Sequence, residues 1–140
     1  MPFTRKILVV AHQTAASDDL VEALRHQAEQ GKCRFTLIVP APATTPADQV
    51  KTTMEGALAR MREAGLQNVE GRVGDPDPIV AVMDVWDPMK FDEVIVSTLP
   101  TDESRWIELE LPERIAKLTG APVTHVVSTE VAPFAPIPTA

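Results

Sequence analysis

Residues 91–127 read FDEVIVSTLPTDESRWIELELPERIAKLTGAPVTHVV, and this stretch decides the fold predicted for the chain. The apolar run 94–96 opens the stretch, and a second apolar run, Val123–Val127, closes it. A polar loop, residues 97–106, lies between them and is followed by a helical pattern. The order strand, loop, helix and strand is typical of a parallel crossover unit.

Three pairs of a strand and a helix precede this unit. Strands are predicted at residues 6–11, 35–39 and 68–73, of which the third is the least apolar. Apolar residues at helical spacing predict four helices. They are Leu20, Leu24 and Ala28; Val50, Met54, Leu58 and Met61; Ile79, Val80, Met83 and Trp86; and Leu111, Ile115 and Leu118. The alternation predicts an α/β fold, a single domain of three layers (α/β/α) around a five-stranded parallel sheet.

Capping residues mark several helix ends. Ser17 or Asp18 is predicted to cap the first helix. Asp77 is predicted to cap the third helix, with Pro78 at its first helical position. Gly120 is predicted to end the last helix, because glycine adopts the left-handed conformation that follows many helices.

Composition limits the class of protein. The chain of 140 residues is 44% hydrophobic and 24% charged, as expected for one globular domain. A net charge of -7 argues against nucleic-acid partners and an anionic membrane surface, and no apolar run approaches the roughly 20 residues of a membrane helix.

The lone Cys33 excludes an internal disulfide and fits a reducing cytoplasm. The domain is predicted to span residues 1–128, with an extended or disordered Pro-rich tail at 129–140.

From residue 6 to residue 127 the chain resembles the universal stress protein family. The resemblance rests on the order of four segments: KILVVAHQT, GRVGDPDPIVAVMDV, FDEVIVST and SRWIELELPERIAKLTGAPVTHVV. It implies a sheet of order 3-2-1-4-5, as in adenine nucleotide alpha hydrolase-like and flavodoxin-like folds. It also implies that the last strand is an edge through which two chains dimerise.

The chain departs from the pattern of the family's ATP-binding members, G-x2-G-x9-G-S/T after the fourth strand. The loop at residues 97–105 contains no glycine, and Leu109-Glu110 stands where the final Gly-Ser/Thr is expected. His12 replaces the acid usual after the first strand. Glycine lets the backbone wrap phosphates, and Glu108 and Glu110 would repel them. ATP is therefore predicted to bind weakly or not at all.

The candidate ligand-binding residues follow the carboxyl ends of the strands, where open α/β sheets bind ligands. The set is His12, Gln13, Val39, Ser97, Thr98, Ser104 and Arg105. His12 either faces the ligand or bonds to the backbone. Arg105 either contacts a phosphate or carboxylate, or forms a salt bridge with Asp102, Glu103 or Glu108. No Gly-x-Ser-x-Gly motif surrounds the serines, so no catalytic nucleophile is predicted.

Other polar residues have structural interpretations. Asp75 and Asp77 could suggest a carboxylate pair for acid-base chemistry, but a turn and a helix cap explain both residues, and this structural role is the one predicted. His26 is expected to be solvated. His125 is expected to be a strand or dimer-contact residue, since no second His or Cys lies at ligand spacing, and no metal site is predicted. Trp86 is expected in the core, and the role of Trp106 stays open.

The sequence thus predicts a non-catalytic, universal-stress-protein-like domain in the cytoplasm, with a small anionic or nucleotide-like ligand. No cofactor is expected, with ATP or AMP as the alternative. A homodimer is predicted through Val123–Val127, because no lysine or proline interrupts this apolar edge strand. The alternative function is an enzyme acting on a phosphorylated or carboxylated metabolite, with His12 as base and Arg105 as anchor.

Overall fold

The apolar runs of the sequence form one parallel sheet in the computed structural model, which describes residues 4–11, 15, 17–41, 44–98 and 110–127. Its strands are β1 (Arg5–Val10), β2 (Cys33–Pro40), β3 (Val69–Gly74), β4 (Glu93–Thr98) and β5 (Val123–Val127). They lie in the order β3-β2-β1-β4-β5, and every neighbouring pair is parallel. The predicted parallel sheet and its order 3-2-1-4-5 are confirmed.

The helices connecting these strands are α1 (Asp18–Glu29), α2 (Ala47–Glu63), α3 (Pro78–Val85) and α4 (Leu111–Thr119). Ser17 caps α1, where its hydroxyl accepts a hydrogen bond from the Leu20 amide at 3.1 Å. Asp77 caps α3 by accepting from the Ile79 amide at 2.8 Å. Gly120 ends α4 with a φ of 69°. These caps are as predicted, and Ser17 rather than Asp18 caps the first helix.

Two cores lie on opposite faces of the sheet, because successive strand residues alternate between faces. On one face, α1 and α2 pack on the first core, which includes Ile7, Val9, Leu24, Phe35, Leu37, Met54, Met61 and Ile95. On the other face, α3 and α4 pack on the second core, which includes Leu8, Val10, Ile38, Val82, Val94, Val96, Leu111 and Ile115. The three-layer prediction is confirmed. No helix in the described part of the chain is long and apolar enough to cross a membrane.

The predicted inward face of α3 is wrong. Val80 and Met83 are exposed, and Ala81 and Val82 are buried instead. The reason is a close approach to β3: a Cβ atom at Gly74 would lie only 2.8 Å from the Cβ of Ala81. The alanine can therefore lie directly against the strand, which rotates the larger side chains outward.

Two other expectations about apolar side chains need correction. Leu118 is exposed, because α4 covers the sheet mainly with Leu111 and Ile115. Trp86 follows α3 rather than belonging to it, and it is half-buried. Its ring stacks on Phe91 with centroids 5.8 Å apart, so it packs at the margin of the second core.

Arg5 joins the amino ends of β1, β2 and β4. Its guanidinium donates to Glu93 Oε2 at 2.9 Å, to Gln27 Oε1 at 2.8 Å and to Cys33 Sγ at 3.5 Å. Burial lowers the pKa of Arg5, but the charges and hydrogen bonds of Cys33 and Glu93 outweigh burial and raise the pKa above its usual value. Cys33 is buried. This end of the sheet is therefore held by polar contacts around one cation.

Candidate functional site

The connections of the sheet reverse direction between β1 and β4. The helix after β1 packs on the first core, whereas the helix after β4 packs on the second core. The two connections therefore leave neighbouring strands toward opposite faces. Such a point in an open α/β sheet opens a crevice at the carboxyl ends of the strands, which we call the carboxyl-end crevice.

Val39, Ala11 and Ser97 lie level across β2, β1 and β4 at this crevice. Val10 pairs with Ile38 and with Val96, so the next residue of each strand lies at the same level. All three are on the face of α1 and α2, and all three are buried. The methyl group of Ala11 thus lies between the side chains of Val39 and Ser97 at the carboxyl ends of the three strands.

Thr98 faces away from Ser97, toward the side of α3 and α4, because the two are successive strand residues. Its Oγ1 hydrogen bonds to Nε2 of His125 at 2.7 Å. The expectation that the loop starts at residue 97 is wrong: β4 continues through Thr98, since Ser97 pairs with Val126 and Thr98 with Val127. The hydroxyls of Ser97 and Thr98 therefore lie on opposite faces of the sheet.

His125 is the polar residue that sequence reasoning did not place near the crevice. It lies on β5, level with Val96, and reaches Thr98 diagonally across the strand pair. It is exposed although Thr98 is buried. The only sequence signal is a histidine inside the segment Val123–Val127, which by itself does not specify its hydrogen-bond partner.

The helix that follows β4 in the chain, α4, begins on the side of the second core, where Leu111 is buried. Glu110 precedes the helix in the left-handed conformation, with φ at 54°, and its side chain caps no backbone amide. Pro112 lacks an amide hydrogen, and Glu113 adds a second carboxylate to the first turn. An anion gains little at a helix N-terminus where acidic side chains already stand.

Four of the predicted ligand-binding residues, His12, Gln13, Ser104 and Arg105, lie outside the described residues. Their assignment stays a prediction, as do the alternative salt bridges of Arg105. The structure brings together Val39 and Ser97 on one face and places Thr98 on the other.

The remaining polar candidates have local roles. The Asp75 carboxylate accepts from the Asp77 amide at 2.9 Å, and Asp77 caps α3, so both serve the turn. His26 is exposed and hydrogen bonds to the Gln30 side chain at 2.9 Å. Within the described residues, no group of three or more His, Cys, Asp or Glu side chains is placed to hold a metal ion.

Comparison with known proteins identifies the fold. No protein-family model matches the sequence, and no curated protein matches it. Among solved structures, the chain is similar to a universal stress protein in complex with cAMP, with a TM-score of 0.66 and 17% identity. That match covers 92% of this chain and 100% of the other. The chain has the universal stress protein fold.

A second solved structure has a lower similarity to this chain. It is protein Rv1636 from Mycobacterium tuberculosis H37Rv, which is 20% identical, with a TM-score of 0.49. The match covers 90% of this chain and 96% of that one.

Proposed function

We propose that this chain is a non-catalytic, universal-stress-protein-like domain that binds a small nucleotide-like ligand in the carboxyl-end crevice, and that it binds ATP weakly or not at all. The observation that carries the proposal is the reversal of the connections between β1 and β4, which opens a crevice beside the buried Ser97. The similar universal stress protein was crystallised with cAMP, which supports a nucleotide of low charge as the ligand.

The charges around the crevice favour a ligand with few negative charges. Glu110 and Glu113 stand at the start of α4, and no glycine lies between residues 97 and 105 to let backbone amides approach a phosphate chain. A cyclic monophosphate carries a single negative charge, whereas a triphosphate carries several. Repulsion by the two carboxylates therefore grows from cAMP through AMP to ATP.

Calorimetric titration of the whole chain with cAMP, AMP and Mg-ATP tests this proposal. We expect affinity to decrease in that order. The Glu110→Gln variant should reduce the difference in affinity between cAMP and Mg-ATP, because it removes one negative charge from the start of α4. Glu55→Gln, at an exposed position of α2, is the matched control and should leave the order unchanged. Binding of Mg-ATP with micromolar affinity or tighter would defeat the proposal.

We also propose that the chain forms a homodimer through β5 and works in the cytoplasm. β5 is an edge of the sheet, and Val127 on it is 45% exposed. Pairing with the same strand of a second chain covers such an edge and gives a closed two-fold interface. The cytoplasmic assignment is supported by the single thiol of Cys33, which is free and buried.

The opposite edge of the sheet supplies a matched control for the dimer. Val73 on β3 is 40% exposed, close to the value for Val127. Sedimentation equilibrium should show that Val127→Lys weakens the dimer, because a charged side chain then stands on the strand that forms the interface, whereas Val73→Lys leaves the dimer intact. A monomer at tens of micromolar protein, or equal effects of the two variants, would rule out dimerisation through β5.

A further inference from the structure

A second cleft lies at the other end of the sheet, on the face of α3 and α4. We call it the amino-end cleft. Its cavity volume is about 340 Å³, and it is lined by Lys6, Arg34, Thr36, Glu70, Met89, Lys90 and Phe91. Lys6 pairs with Arg34 and Thr36 with Glu70, so these four side chains share one face across β1, β2 and β3.

The cleft exists because α3 is short. Its Ala81 packs against Gly74 at the carboxyl end of β3, and after Val85 the chain returns toward β4. The residues of this return segment, 86–92, lie over the amino ends of the strands, and Met89, Lys90 and Phe91 among them line the cleft. Lys6 holds the return segment in place, because its Nζ donates a hydrogen bond to the Met89 carbonyl at 2.8 Å and its amide donates to Asp92 Oδ2 at 2.9 Å.

The cleft concentrates positive charge in a chain with a net charge of -7. Three of its lining residues are cationic, Lys6, Arg34 and Lys90, and one is acidic, Glu70. Among the described residues, neither Arg34 nor Lys90 takes part in an ion pair. Within the described part of the chain no carboxylate forms an ion pair with either cation, although Glu70 lines the same cleft, so both cations are available to an anionic ligand.

Thr36 places a hydroxyl group in the wall of the cleft. The residue is only 6% exposed, yet its hydroxyl has no hydrogen-bond partner among the described residues. No fully buried side-chain oxygen or nitrogen of the described residues lacks a partner, so the Thr36 hydroxyl reaches the cleft that it lines.

We infer that the amino-end cleft binds a small organic oxyanion, a carboxylate or phosphate ester with a short aromatic or apolar body. Arg34 and Lys90 supply the charge, and the Thr36 hydroxyl supplies a hydrogen bond. The Phe91 ring, backed by Trp86, supplies an apolar wall. The volume lies within the range of small-molecule pockets, roughly 300–1,000 Å³. This site is separate from the carboxyl-end crevice.

Amide NMR titration of the whole chain tests the inference with phenyl phosphate and benzoate as oxyanion probes. Benzylamine, the same ring with the opposite charge, is the control. We expect saturable shifts at Lys6, Thr36 and Phe91 with the two anions and none with the amine. A preference for phenyl phosphate over benzoate would assign the site to phosphate esters, and the reverse to carboxylates. No saturable shift at these residues by about 10 mM probe, an affinity too weak for a specific site, would overturn the inference.

Variants separate binding from folding. Arg34→Gln should weaken phenyl phosphate binding about tenfold, as expected for losing a hydrogen bond to a charged group, and Lys90→Gln should weaken it about threefold. Thr36→Val keeps the shape of the side chain and should weaken phenyl phosphate binding about threefold.

The control for these variants is Lys51→Gln, which removes an exposed charge on α2 and should have no effect on phenyl phosphate binding. Unchanged binding by Arg34→Gln and Lys90→Gln, both at exposed positions, would overturn the inference, as would shifts confined to Ala11 and Ser97.

Discussion

The two ends of the sheet differ in the chemistry they offer a ligand. At the carboxyl end, Ala11, Val39 and Ser97 form a level row of small or neutral side chains, and Glu110 stands nearby at the start of α4. At the amino end, the side chains are long and cationic, and Arg5 alone links three segments of the chain. A chain with an acidic total charge thus keeps a basic cleft at one end of its sheet.

This difference shows why total charge is a poor guide to a site. The net charge of -7 argues against a large basic surface, but it does not prevent a local group of cations. The fold directs attention to the carboxyl end, where its topology opens a crevice. Arg34 and the Thr36 hydroxyl, which have no ion-pair or hydrogen-bond partner among the described residues, lie at the other end.

The packing of the carboxyl end is tested by Gly74→Ala. The added methyl group would lie 2.8 Å from Ala81 Cβ and 3.0 Å from Ile38 Cγ2, so α3 must move away from β3. We expect the free energy of unfolding to decrease by about 2 kcal/mol, as for other overpacked cores. Urea denaturation measures the change. Gly56→Ala is the control, because this exposed glycine of α2 has no atom near its Cβ position, and it should stabilise the chain by about 0.5–1 kcal/mol.

The polar junction at the amino end is tested by Arg5→Ala. The change removes hydrogen bonds to Glu93, Gln27 and Cys33, and we expect the free energy of unfolding to decrease by about 1.5 kcal/mol. The control is Arg25→Ala, which breaks an exposed pair with Glu22 and should cost about 0.3 kcal/mol. Equal losses in the two variants would show that Arg5 is an ordinary surface residue.

The smallest expected effect comes from Glu110→Gly at the carboxyl end. Glu110 has a φ of 54°, which costs a non-glycine residue about 1 kcal/mol, and glycine adopts this conformation freely. We expect Glu110→Gly to stabilise the chain by up to about 1 kcal/mol in thermal unfolding. Glu110→Ala removes the same carboxylate but keeps the strain, so it should give no such gain. Equal stabilities of the two variants would contradict this account.

The sequence predicts the sheet well because its central strands are apolar and lack alternation. β1 and β4 are buried on both faces, and this pattern alone indicates a parallel sheet. The strand order did not follow from the pattern, since alternation does not fix which strands are neighbours, and it came from the family resemblance. The face of α3 was missed because it depends on the contact of Ala81 with Gly74, which no periodicity encodes.

The two sites also differ in how much of each could be predicted from the sequence. Val39, Ser97 and Thr98 could be placed at the carboxyl ends of strands by counting along the sequence, but the bond from Thr98 to His125 is diagonal between strands. The amino-end cleft could not be predicted, because Lys6, Arg34 and Lys90 lie on distant segments. Only the register of β1 with β2 and the short α3 bring them together.

The central claim, that the two ends of the sheet bind different ligands independently, is tested most directly by amide NMR titration with cAMP and phenyl phosphate, added singly and then together. We predict that cAMP shifts the signals of Ala11, Val39 and Ser97, that phenyl phosphate shifts those of Lys6, Thr36 and Phe91, and that the two sets of shifts add when both ligands are present. A single set of signals shifted by both compounds, with one displacing the other, would contradict the claim.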